Sequence, residues 1–188
     1  MVNPLSQELE IFKCEWDAAW LDDDLDRRRQ RLDELIAWKA RICEQDERPI
    51  VDALCEQGFN GNSVWDLVNT QARYPELIET LCEHLNGNYL PVIKEGIVRA
   101  LMVREGGDEV RQALLDQWQI APITEVGGQD LKWALAYVIS YRTRRKQIGE
   151  LAALMDGNEH TDDPFVRRLK RSEEGRAQLF ARLEELAT

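Results

Sequence analysis

Few parts of this chain could do chemistry. It holds two histidines and four cysteines among 188 residues. Cys82 and His84, in CEHLNG, stand two apart, which puts them on different faces of a helix. The other histidine, His160, brings no second pair to complete a four-ligand zinc site. The pair reads as a core cysteine beside a surface histidine, and no metal is expected. Nucleophilic catalysis needs a base beside a serine or cysteine, on a turn that presents it. No such elbow occurs, so no catalytic residue is expected. REGGDE and EVGGQD place Gly-Gly before a helix, where amides can hold anions. An acid follows each pair within two residues, and the P-loop lysine is missing. Both read as turns, and no cofactor is expected. LDDDLD has acids without the spacing or glycine of an EF-hand and reads as a solvated turn.

Charge and aromatics offer more. Arg142, Arg144, Arg145 and Lys146 form one basic cluster, and Arg167, Arg168, Lys170 and Arg171 another. Cations suit helix C-termini, and that is their first reading. The chain as a whole carries −11. Residues 1–60 hold 15 acids and 8 bases, residues 61–130 hold 11 and 5, and residues 131–188 hold 9 and 11. So acidic a surface opposes phosphate backbones. Nucleic acid is therefore not the expected partner; a basic protein is. Six tryptophans (Trp16, Trp20, Trp38, Trp65, Trp118 and Trp133) read mainly as core fillers. The cysteines, Cys14, Cys43, Cys55 and Cys82, are scattered without a CxxC pair, predicting buried, reduced thiols. The N-terminus meets Glu8 and Glu10 with no basic start, so no signal peptide is expected. No uncharged apolar run reaches about 18 residues. The expectation is a cytoplasmic protein without a membrane span.

Helices must position these residues, because strand signals are nearly absent. Ser6 can cap a helix to about Trp20, and LDDD breaks it. A longer helix runs from about Asp24 to Asp46. Pro49 opens another, PIVDALCEQG, which Gly58 closes. Ser63 and Asp66 make a capping-box-like start to a brief helix ending near Thr70. Pro75 opens PELIETLCEHLNG, with Leu77, Ile78, Leu81, Cys82 and Leu85 on one side. LPVIKEGIVRALMV, from Leu90 to Val103, follows. Asp108 can cap DEVRQALLDQW, the loop QIAPITEVGGQ comes next, and Asp130 can cap LKWALAYVISYR. RKQIGELAALMDG ends near Gly157, and a polar loop with Asp163 and Pro164 leads to a charged C-terminal segment containing GRAQLFARLEEL.

Two of these helices are apolar nearly all round. LPVIKEGIVRALMV keeps only Glu95 and Arg99 opposite its apolar side. LKWALAYVISYR keeps a narrow polar line of Lys132, Ala136, Ser140 and Thr143. One-sided helices starting near residues 49, 75, 108 and 146 alternate with them. That alternation suggests stacked hairpins whose inner helices are covered on both sides; a compact irregular bundle is the alternative. YPELIETLCEHLNGNYLPVIKEGIVRAL looks like one outer-turn-inner repeat, and LKWALAYVISYRTRRKQIGELAALMDG like an inner helix with the next outer one. On these segments the chain, from about Tyr74 to Met155, resembles HEAT-like repeat proteins. The expected fold is all-α: a short irregular α-solenoid of HEAT-like helical hairpins with an N-terminal helical extension. Residues 1–48 would be the cap or appendage, and 49–188 the repeats, packed as one continuous domain.

Repeat stacks present concave surfaces to partners. The expected function is thus a non-catalytic protein-binding module, most concretely an acidic immunity or inhibitor protein that neutralises a basic toxin. The candidate contact residues are Trp65 as anchor, Asp66 and Asn69, Glu95 and Arg99, and Lys132 and Ser140. Some HEAT-like proteins bind DNA, and one branch excises alkylated bases from a basic groove. The resemblance leaves that activity as an alternative, which the overall acidity opposes. A scaffold subunit docking through residues 1–48 is another alternative. Oligomeric state is not legible.

Overall fold

The computed structural model describes residues 3–121, 131–155 and 163–186. Among them are ten α-helices, two short 3-10 turns and no strand, so the fold is all-α. Two compact units divide the chain, Met1–Ile97 and Val98–Thr188.

In the first unit, α1 (Leu5–Trp20) and α2 (Leu25–Glu56) form an antiparallel hairpin across the LDDD turn. Asn3, rather than Ser6, opens α1: its Oδ1 accepts the Leu5 amide at 2.9 Å. Asp24 caps α2 by accepting the Asp26 and Arg27 amides. Phe12, Ala19 and Leu35 form the buried seam, with Trp16, Leu32 and Trp38 packed on it. Phe12 meets Trp38 edge-on at 6.2 Å between ring centroids. Ile11, Trp20, Leu21, Leu25 and Ile36 stay exposed on this hairpin.

The expected break at residue 48 is absent. α2 passes through Pro49 as one helix about 48 Å long. A proline inside a helix removes one i→i−4 bond and ordinarily breaks it. Here Pro49 is exposed on the outer face, while Ile42, Asp46, Ile50 and Leu54 continue a buried line beneath it. Asp46 and Glu47, just before the proline, are themselves tied into the unit. Asp46 accepts the Leu90 amide at 2.6 Å and the Asn3 side-chain amide at 2.7 Å. Glu47 accepts the Val64 amide at 2.7 Å and the Ser63 hydroxyl at 2.8 Å. These tertiary bonds just before the proline, with the buried Ile50 and Leu54 just after it, hold the helix together.

Those two carboxylates reach the starts of later helices. α3 (Trp65–Val68) begins at Val64, and its capping box forms as expected: Asp66 accepts the Ser63 amide and Ser63 Oγ the Trp65 amide. A 3-10 turn at Pro75–Leu77 leads into α4 (Ile78–Leu85), whose Ile78, Leu81 and Leu85 are buried, with Leu77. α5 (Pro91–Ala100) starts beside Leu90 and is three residues shorter than expected at its end. Leu101 to Val103 leave the helix, although Leu101 remains fully buried. The boundary between the units falls within α5.

The second unit contains α6 (Gly107–Ile120), α7 (Leu131–Arg142), a 3-10 turn at Arg145–Gln147, α8 (Ile148–Ala153), α9 (Pro164–Leu169) and α10 (Glu173–Leu186). α7 packs against both α6 and α9, and α10 against α8 and α9. Gly106, not Asp108, opens α6, in a left-handed conformation (φ 81°) that suits glycine. The core holds Val110, Leu114, Leu135, Ile139, Leu151, Phe165 and Leu169. The expected cap at Asp130, the turn EVGGQD, the helix end near Gly157 and His160 lie outside the described residues.

Arginines hold the turn between α5 and α6, and three helix ends, here. Arg142 donates to the carbonyls of Leu101, Val103, Glu105 and Gly107. Arg168 donates to Thr143 O at 3.1 Å, Arg176 to Lys170 O at 3.2 Å and Arg182 to Met155 O at 2.9 Å. Terminal carbonyls lack intrahelical partners, and cations suit them.

The cysteines correct another expectation. All four are free, but Cys14 and Cys55 are exposed and Cys43 and Cys82 only half-buried. Larger Leu and Ile side chains fill the buried stripes of these helices, leaving the cysteines at their edges.

Candidate functional site

The sequence of α7 forces a choice between its faces. LKWALAYVISYR has too many apolar residues for one face. The expected polar line turns inward: Ala136, Ser140 and Thr143 are 1%, 5% and 3% exposed. Small side chains let neighbouring helices approach, so they go between α7 and its partners. The tyrosines go out instead, Tyr137 at 39% and Tyr141 at 52% exposed. Their rings can rest on the surface while the hydroxyls stay wet. Trp133 stacks on Tyr137 with ring centroids 5.3 Å apart and planes 12° from parallel. The Arg99 guanidinium lies 5.7 Å from the Trp133 ring centroid. The open face of α7 is thus aromatic, spaced by four residues from Trp133 to Tyr141.

Arginines flank it. A cavity of about 330 Å³ is lined by Arg104, Arg111, Arg142, Arg144 and Tyr141, with Asp108 as a carboxylate on its wall. A second, of about 420 Å³, is lined by Tyr137, Ser140, Tyr141, Arg167, Arg168 and Arg171. Tyr141 borders both. Arg142 and Arg168 are occupied with backbone carbonyls, and Arg111 pairs with Glu150. Arg104, Arg144, Arg167 and Arg171 are exposed, and their guanidiniums make no hydrogen bond or ion pair to a described residue. Part of each basic cluster is therefore structural, and part is available.

The residues singled out from sequence fall elsewhere. Trp65 is half-buried with its indole against Gly96, where an added Cβ would come within 3.0 Å of Nε1. Asp66 is exposed and engaged in its capping box, and Asn69 donates to Trp65 O at 3.0 Å. Glu95 and Arg99 are half-buried on α5. Trp65, Asp66, Asn69 and Glu95 belong to the first unit; Arg99, Lys132 and Ser140 belong to the second. Lys132 donates to Trp118 O at 3.1 Å, with its ammonium 4.1 Å from that ring's centroid. Ser140 is buried on the wall of the second cavity.

Sequence reasoning misses Tyr137, Tyr141, Arg167 and Arg171 as a group. Counting tyrosine as simply apolar hides the first two. The arginines are legible as a basic cluster, but their place beside the tyrosines is hidden, because the start of α9 at Asp163 and Pro164 reads as loop. Its signal is present all the same: Asp163 followed by Pro164 is an N-cap with proline at the first helical position. Asp163 Oδ1 indeed accepts the Phe165 amide at 2.7 Å.

His84 Nδ1 lies 2.5 Å from the Tyr89 hydroxyl. Burial holds its pKa below the ordinary 6.5, against an opposing pull from Glu83. Among the described residues, no group of three His, Cys, Asp or Glu side chains is arranged to hold a metal ion. No described helix is long and apolar enough to cross a membrane.

Compared with known proteins, the chain matches no family model, no curated protein and no solved structure. The class it can be given is therefore that of its fold, all-α.

Proposed function

We propose that the chain is a non-catalytic protein-binding module of HEAT-like helical hairpins, whose working surface is the tyrosine–arginine face of α7 and α9. The observation that carries this is the exposure of Tyr137 and Tyr141 between arginines with no described partner. Tyrosine, tryptophan and arginine dominate binding hot spots, because they bury much area and still hydrogen-bond. α7, covered by α6 and α9, has the character of an inner repeat helix.

This face favours an acidic partner. The basic partner expected from sequence rested on the charge of the whole chain. That charge is uneven: residues 1–97 hold 20 acids and 10 bases, residues 98–188 hold 15 and 14. With screening over about 8 Å at physiological ionic strength, local arginines decide what docks beside them. The acidity of residues 1–97 supports a second reading, an immunity-type inhibitor that masks a basic toxin. Asp66, Asn69 and Glu95 would then belong to the contact.

Affinity capture from the source cell separates the two. Under the first reading, Y137A/Y141A/R171E loses the captured partner and N69K/E95K keeps it. The reverse pattern supports the inhibitor. A chain that captures no protein but shifts duplex DNA at physiological salt overturns both.

A further inference from the structure

Ser140 sits on α7 with 5% of its surface exposed, and its Oγ has no hydrogen-bond partner among the described residues. Burying a hydroxyl without a partner costs free energy. A helical serine or threonine normally avoids this by bonding the carbonyl four residues back. Thr143, three residues on, does so, donating to Ile139 O at 2.7 Å. Ser140 does not, and it lies on the wall of the cavity of about 420 Å³.

The rest of that wall is a surplus of donors. Arg167, Arg168 and Arg171 bring three guanidiniums, and Tyr137 and Tyr141 two phenols. Arg168 is fixed by its bond to Thr143 O, which leaves the rest of its fork available. Arg167 and Arg171 are exposed. No carboxylate is among the described residues lining this cavity, in contrast to its neighbour with Asp108. One guanidinium suffices to bind a carboxylate in a bidentate pair. Three guanidiniums and a hydroxyl match a doubly charged group with three acceptor oxygens. The cavity is larger than a bare phosphate group needs, and the tyrosine rings offer a flat wall for an attached organic group.

We infer that this cavity binds a phosphate monoester. Arg167, Arg168 and Arg171 hold the phosphate, Ser140 donates to one of its oxygens, and Tyr137 and Tyr141 flank the organic part. A small phosphorylated molecule and a phosphorylated side chain of a protein share this chemistry. The inference does not depend on the protein-binding proposal, since a free monoester satisfies the same donors.

Isothermal titration of the full chain at physiological salt tests it, with phenyl phosphate, benzoate, a phosphotyrosine peptide and its unphosphorylated form as probes. Phenyl phosphate is expected to bind at least about tenfold more tightly than benzoate, one decade being the least that distinguishes the dianion. R167A/R171A should weaken it by more than about tenfold, because charge-assisted bonds are the strong ones. S140A should weaken it by about threefold without lowering Tm, because it deletes a hydroxyl that is unsatisfied in the free protein. R104A/R144A, in the neighbouring cavity, should leave the affinity unchanged. Tighter binding of the phosphopeptide than of phenyl phosphate assigns the site to a protein-borne phosphate. Equal or weaker binding assigns it to a free monoester. Equal affinities for phenyl phosphate and benzoate, no heat at millimolar phenyl phosphate, or an equal loss in R104A/R144A overturns the inference. Affinity capture of a protein partner is read separately, so failure here leaves the protein-binding proposal standing on its own test.

Discussion

In the first unit, neighbouring carboxylates on α2 reach the starts of two other helices, Asp46 at Leu90 and Glu47 at Val64. In the second, guanidiniums reach helix ends, with Arg142 on the turn after Ala100, Arg168 after α7, Arg182 after α8 and Arg176 after α9. The two networks meet complementary needs with opposite charges. The first turns of a helix leave amides unpaired, and the last turns leave carbonyls unpaired. Anions satisfy the former and cations the latter. The difference teaches that a cluster of charge in this sequence cannot be read directly as a binding surface. It first has to be divided into charges spent on the backbone and charges left over.

The sharpest way to test that contrast is to remove one member of each network. Asp46→Ala strands the Leu90 amide and removes one of the two bonds that the Asn3 side-chain amide donates, and should cost about 3 kcal/mol in urea unfolding, as expected for buried charge-assisted bonds. Arg142→Met keeps the aliphatic stem but abandons four carbonyls, and should cost about 2 kcal/mol. Hydrogen exchange should localise the two losses, at Leu90 and its surroundings for the first variant and over residues 101–107 for the second. Equal loss of protection across both units in either variant would break the contrast, because the networks would then act as one. Asp163→Ala removes the cap of α9 and should cost about 1 kcal/mol. It should also weaken phenyl phosphate, since α9 carries Arg167 and Arg168.

The smallest effect is a titration. Burial lowers the pKa of His84 below 6.5. The folded state therefore favours the neutral ring more than the unfolded chain does. Its contribution to stability is present above pH 6.5 and lost as the pH falls from there toward the folded value. An imidazole titration followed by NMR should have its midpoint below 6.5, and His84→Phe should remove this part of the acid sensitivity.

Local punctuation makes much of the fold legible. Asp24, Ser63 with Asp66, Pro75 and Gly58 mark helix ends through bonds within a few residues, and these fall where the sequence places them. The buried stripe of α4 is equally readable. Pro49 misleads because what overrides it lies far away: Asp46 and Glu47 bond residues 44 and 17 positions on. The candidate face is hidden for a different reason. On α7, apolar and polar types do not map to inside and outside, because Ser140 is small enough to bury and Tyr141 amphipathic enough to expose. Which side of such a helix faces water depends on its neighbours, and that α9 is one of them is not written in its own sequence.

The four thiols have a consequence for following the molecule over time. Every cysteine of the chain, Cys14, Cys43, Cys55 and Cys82, precedes residue 98. Alkylating reagents are therefore blind to the second unit and report on the first alone. Cys14 and Cys55 are open to them at once. Cys43, half-buried and with its pKa pushed up by that burial, offers less thiolate and should react more slowly. Its modification rate is a local clock for the opening of α2 near its proline, in a protein that needs no added label.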